Sequence, residues 1–245
     1  MKFSYSEVWT DVVALARTHG TLIGAVAGVF IFLPALLTGY LLPTPEAADF
    51  NQMIQRMQEY AAANWHWLLL QSLVAMVGTI AIFRLIFARA GITVGAAIAA
   101  ALALLPTYFA ASLLSSLAIG IGFLLLIVPG LYLIGRLSPL GAVIVAEEQR
   151  NPITAVSRTW DLTKGRGWAV LGLVLVVLLA ALVVVGVLNA LLGVIVILIA
   201  GRDLGTLLML IVSTATSTGM TVLSILLYAA IYRRLSPAQS AAAFD

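Results

Sequence analysis

Glu147 and Glu148 stand just upstream of the densest run of cations in the chain: Arg150, Arg158, Lys164 and Arg166, with Asp161 among them. Trp160 and Trp168 are interleaved with these charges. This stretch of 22 residues, 147 to 168, holds seven of the chain's 23 charged side chains. Paired carboxylates beside cations suit acid–base catalysis, a metal site or the holding of anionic groups. The first two uses lack their other parts. There is no cysteine, no nucleophile placed beside a base, no glycine-rich phosphate loop and no cluster of metal ligands. His19 and His66 fall on opposite faces of a membrane in the topology derived below, so they share no site. No catalytic residue, metal or cofactor is expected. What remains is contact with lipid headgroups, with Arg158, Lys164 and Arg166 as the cations and Trp160 and Trp168 as the interfacial anchors.

Something must position these residues, and composition says what. The chain is 62% hydrophobic with a mean hydropathy of +1.12, and only 9% of it is charged. A soluble domain is nearer half apolar and a quarter charged. Apolar surface on this scale needs lipid as its solvent, and about 20 apolar residues cross a bilayer core as a helix. The fold class is therefore all-α, a polytopic bundle. Six candidate spans lie at 21–42, 67–88, 92–111, 115–137, 168–192 and 205–232, forming three hairpins in one membrane domain. A further apolar run at 191–200 is too short to cross, and reads as an extension of the fifth helix or an interfacial segment. The first span reads as a retained signal-anchor, because no short apolar core with a cleavage site precedes it.

Eleven of the thirteen cations then fall on one side, leaving only Arg56 and Arg202 on the other. This bias places both termini in the cytoplasm. The expected location is a bacterial inner membrane, and no nucleic-acid partner is expected.

Asn151-Pro152 is a helix start, with a side-chain cap and a proline whose missing N–H costs nothing in the first turn. Lys164-Gly165 is a helix end. The sequence thus predicts an amphipathic interfacial helix at 151–164, with Ile153, Val156, Trp160 and Thr163 on one face. A second is predicted at 4–19, where Ser4 and Glu7 fit a capping box. A third amphipathic segment, 46–63, is expected on the outer surface, with Met53, Met57 and Tyr60 on one face. Leu15-Ala16-Arg17 resembles Leu162-Thr163-Lys164, and Ala81-Ile82-Phe83-Arg84 resembles Ala230-Ile231-Tyr232-Arg233. Internal duplication or a common way of leaving a membrane both fit that likeness.

Pro129-Gly130 falls inside the fourth predicted span. Proline cannot donate to the carbonyl four residues back, so a kink is expected there. It serves either packing or a binding notch. In the sixth span Ser213, Ser217, Thr221 and Ser224 share a face, suited to close helix packing or to a polar path. Gln71 and Asn189 are the other polar candidates inside spans. Arg84 either snorkels to the interface or pairs within the bundle. Arg136 and Glu147 are candidates for ion pairing.

Pro129-Gly130, Tyr132, Arg136, Glu147, Asn151-Pro152, Ala155, the Ser157–Trp160 run, Leu162, Lys164-Gly165 and Trp168 together resemble the membrane domain found with some glycerophosphoryl diester phosphodiesterases. Related uncharacterised six-span bacterial inner-membrane proteins share the pattern, and the closing Tyr232-Arg233-Arg234-Leu235 also fits. The resemblance implies a six-helix fold and a connection with membrane lipids. It implies no hydrolysis, because in fused members that belongs to a separate soluble barrel rich in histidine and acidic metal ligands. The expected function is a non-enzymatic lipid-interacting, scaffold or accessory module. Its partners would be membrane phospholipids, together with a protein partner or a second copy of the chain. The alternative is a small transporter or channel that uses the Pro129-Gly130 break and the hydroxyl face.

Overall fold

The computed structural model describes residues 4–43, 45, 49–88 and 92–236. Lys2, Glu46 and Arg89, which entered the charge count or the outer segment, lie outside them. The described chain is all-helical, and six helical stretches are long and apolar enough to cross a membrane: Tyr5–Leu41, Phe50–Phe87, Val94–Leu125, Ile127–Ala146, Gly167–Val196 and Leu204–Leu235. The protein is a polytopic helical membrane bundle.

The first stretch joins two segments expected to be separate. Helix α1 (Tyr5–Ala27) runs through Gly20 without a break, so no free interfacial helix exists at 4–19. A π-helical turn, Gly28–Phe32, connects it to α2 (Leu33–Leu41). Pro34 explains that turn. It has no N–H and its ring crowds the carbonyl one turn back, so the preceding turn widens. The expected capping box does not form either. The Ser4 hydroxyl lies 3.3 Å from that of Ser6, and Glu7 is drawn away to Arg234.

Helix α3 (Phe50–Phe87) likewise absorbs the described part of the outer segment. Asp49 caps it by accepting from the Gln52 N–H. Its 38 residues extend about 57 Å, well beyond a ~30 Å hydrocarbon core. Tyr60 ties the protruding part to the end of α2 by donating to the Leu42 carbonyl at 3.0 Å.

The third and fourth spans depart most from expectation. Helix α4 (Val94–Leu125) continues through both Pro106 and the turn expected near residues 112–114. The chain reverses at Leu126, which is fully extended at φ −163°, ψ 153°. Helix α5 (Ile127–Leu137) then packs back on α4. At this tip a Cβ on Gly130 would stand 2.5 Å from the Phe123 ring, so only glycine allows so close a return. Pro129 therefore lies in the first turn of a helix rather than mid-span, where its missing N–H breaks nothing. The break expected at Pro129-Gly130 thus falls three residues earlier, at Leu126, and of its two readings the mid-span notch has no place in the helix. A short helix, α6 (Leu140–Ala146), completes the segment after Ser138-Pro139.

Helix α7 (Pro152–Leu162) begins as predicted: the Asn151 side chain accepts from the Ile153 and Thr154 N–H groups. Gly165, at φ 75°, leads away from its end. Helix α8 (Gly167–Leu235) contains both last spans. They meet at Gly201, whose φ of 72° and ψ of −177° belong to a region open essentially to glycine alone. The run at 191–200 is the end of the fifth helix.

Candidate functional site

Charged side chains gather at one end of the bundle. Arg84 of α3 pairs with Glu148 at 2.7 Å. Both oxygens of Glu147 lie 3.1 Å from Nε of Arg158, and Glu147 also accepts from the Tyr232 hydroxyl at 3.1 Å. Arg233 donates to the Ile86 carbonyl. Arg234 reaches α1, at 2.7 Å from Glu7 and 2.6 Å from Asp11. Thus α1, α3, the α6–α7 turn, α7 and the sixth span are tied together by ions at a single end. Glu148 occupies the left-handed region at φ 50°, unfavourable for a residue with a Cβ, and the Arg84 pair is what it gains there.

Arg136 is the exception among these cations. It is 4% exposed and touches no carboxylate among the described residues. The expected pair with Glu147 does not form, because Glu147 faces Arg158 and Tyr232. The guanidinium instead enters the corner between α5, α7 and the start of α8. Its Nε donates to the Thr163 hydroxyl at 2.8 Å, and one terminal nitrogen donates to the Tyr132 hydroxyl at 2.9 Å. The other donates to the Trp160 carbonyl. That carbonyl belongs to the last turn of α7, where backbone acceptors lack helical partners and the helix dipole is negative. The end of a helix replaces the counter-ion. The cation also lies over the Trp160 ring, 3.8 Å from its centroid, which adds an attraction of about 1–2 kcal/mol when desolvated.

Small residues permit this corner. A Cβ on Gly135 would stand 2.6 Å from the Leu171 Cβ and 2.8 Å from the Gly167 carbonyl oxygen. The buried stripe of α7 is Ala155, Thr159 and Thr163, all fully enclosed. Ile153 and Trp160, placed by the sequence on the interfacial face, are 70% and 40% exposed. The small residues of the helix meet α4, α5 and α6 while its large apolar ones face outward.

The five residues expected to hold headgroups separate accordingly. Trp160 and Trp168 are exposed, at 40% and 59%, and the Tyr132 ring lies 5.3 Å from that of Trp168. Lys164 is exposed and makes no ion pair with the described residues. Arg166 is half-buried. Arg158 is engaged by Glu147 and serves the fold. Tyr132, Thr159 and Thr163 were not singled out as a site. The signal for Tyr132 was its place one turn before Arg136 in an otherwise apolar run.

In the sixth span the hydroxyls of Ser213, Thr216, Thr218, Thr221 and Ser224 each bond to a carbonyl about one turn back. They are satisfied within their own helix. Asn189 of the fifth span donates to Thr216 at 3.1 Å.

No family model matches the chain, and no curated protein or solved structure shows significant similarity to it.

Proposed function

We propose that the chain is a non-enzymatic lipid-contacting module of a bacterial inner membrane, related to the membrane domain found with glycerophosphoryl diester phosphodiesterases. Its charged end would lie in the cytoplasm and hold anionic phospholipid at the α7–α8 corner. One observation carries the reading: Trp160, Trp168 and Lys164 project from a corner that Arg136 locks from within. Exposed tryptophans with a free cation suit the headgroup level of a membrane, where each basic group contributes about 1 kcal/mol toward an anionic leaflet. The four carboxylates Glu7, Asp11, Glu147 and Glu148 each face a cation, an arrangement suited to holding helices rather than moving protons. A protein partner docked at the same corner would make the module a scaffold.

Two measurements test this. Single cysteines can be introduced into the cysteine-free chain. At Ser157 they should label only from the cytoplasmic face, and at Gln55 only from the opposite one. Labelling of Ser157 from outside would overturn the orientation. Lys164→Gln with Arg166→Gln should lower retention of phosphatidylglycerol in native mass spectrometry while all six spans stay inserted. Arg158 is kept because its pair with Glu147 supports the fold. Retention equal to wild type would remove the headgroup role and leave these cations as a topology signal.

A further inference from the structure

A groove of about 520 Å³ runs between the fifth and sixth spans, away from the α7–α8 corner. Ala180, Val184, Thr216, Gly219 and Leu223 line it, and Trp9 of α1 borders it. From Val176 to Val185 it follows roughly 14 Å of helix. Its floor is small: a Cβ on Gly219 would meet nothing within 4 Å. Its wall faces lipid, with Val184 57% exposed. In a bilayer a lipid-facing furrow of this kind is in contact with acyl chains.

Trp9 also borders a second concavity, which includes Thr10, Val13, Arg17 and Thr18. Arg17 lies about two turns along α1 from Trp9. It is exposed and makes no hydrogen bond or ion pair with the described residues. The nearest acidic residues on α1, Glu7 and Asp11, are both taken by Arg234. An apolar trough and an unneutralised guanidinium with Thr18 beside it thus adjoin across one indole. That is the division of an amphiphile with an anionic head: a tail that needs apolar walls and a phosphate that needs a cation and hydroxyl donors. A second transmembrane helix would fill the trough but leave Arg17 without a partner.

We propose that this groove is a discrete phospholipid site. One acyl chain lies between the fifth and sixth spans, the Trp9 indole closes the groove, and Arg17 with Thr18 takes the phosphate. The site rests on the reading of the chain as lipid-binding but uses none of the residues of the α7–α8 corner.

The test uses the full chain reconstituted in nanodiscs of phosphatidylcholine and phosphatidylglycerol, then released for native mass spectrometry. Wild type should carry bound phospholipid enriched in phosphatidylglycerol. Arg17→Gln, an exposed change that disturbs no packing, should reduce that enrichment about fivefold, the effect of one basic group. Gly219→Leu fills the trough and should remove the bound lipid whichever headgroup it carries. Wild-type binding and enrichment in both variants overturns the site. A bound protein mass, a second copy or a small helix, displaced by Gly219→Leu overturns it as well. Lys164→Gln in parallel separates the two claims. Lipid lost there but kept in Arg17→Gln and Gly219→Leu sinks the groove site and leaves the corner standing. Lipid lost in the groove variants alone supports the site and removes the corner's role.

Discussion

The two ends of α3 differ in what they touch. Its last eleven residues bury Val77, Ile80, Ala81, Ile82, Phe83, Leu85 and Ile86, while none of the residues from Phe50 to Met76 is buried. Helix α8 repeats the contrast. It buries Val170, Leu171, Leu173 and Val174 at its start and Ile225 to Leu227 and Ala229 to Tyr232 near its end, whereas Leu182, Val183 and Val187 between them are more than half exposed. In α8 these segments are all strongly apolar, whereas the unburied start of α3, from Phe50 to Asn64, is polar. In lipid, exposing an apolar side chain has no cost, so helices are held by close packing, hydrogen bonds and ion pairs. These are concentrated at the charged end. That end is the packed one, and the middle of α8 is left largely exposed.

The contrast can be broken most severely at the corner. Gly135→Leu drives a side chain into the backbone at Gly167 and Leu171, and overpacking of that kind costs about 1–3 kcal/mol or more. Arg136→Met leaves the Thr163 hydroxyl and the Trp160 carbonyl without their charged donor, a loss of about 3 kcal/mol. Both variants should lose monodisperse material in fluorescence-detected size exclusion after heating, at temperatures wild type survives. Wild-type heat resistance in Arg136→Met would mean that the buried cation holds nothing.

A milder change sharpens the comparison. Val183→Ala, in the exposed middle of α8, should alter thermal stability by less than about 0.5 kcal/mol, against about 1–1.5 kcal/mol for Val170→Ala at the packed end. Equal losses at the two positions would show that the middle of α8 is packed by something other than lipid.

The smallest effect is expected at Glu148→Gly. Glycine relieves a left-handed backbone that costs roughly 1–2 kcal/mol, and the change forfeits a pair with Arg84 in which the glutamate is 63% exposed, worth about 0–1 kcal/mol. The melting temperature should hold or rise slightly. A clear fall would place the Arg84 pair among the main supports of the charged end.

Legibility in the sequence follows the range of the interactions. The start of α7 was readable because Asn151 and Pro152 act within three residues of themselves. The six apolar stretches were readable because lipid solvates them one by one. The reversal at Leu126 was not. The turn carries no polar residues, and Leu124 to Val128 look like any piece of a span. Pro129 was visible, but a proline that opens a helix and one that kinks it look alike until the turn before it is known. The packed face of α7 was also hidden. Ile153 and Trp160 mark its interfacial face, while the packed face is Ala155 and Thr159, small enough for a close approach to α4 and α6. Arg136 was seen, but a carboxylate was expected where the acceptor is the end of a helix.

That acceptor has a consequence for how the protein is made. Arg136 precedes Thr163 by 27 residues, so it leaves the ribosome with only the Tyr132 hydroxyl of its later partners already made. At roughly 5–20 residues per second the guanidinium waits on the order of a few seconds for α7. Meanwhile it sits in the middle of an apolar stretch, where a cation disfavours membrane entry by about 2.5–3.5 kcal/mol. The fourth stretch is therefore a poor inserter until residues 160–163 have been synthesised and folded against it. Its final seating is coupled to the arrival of the segment it later holds in place.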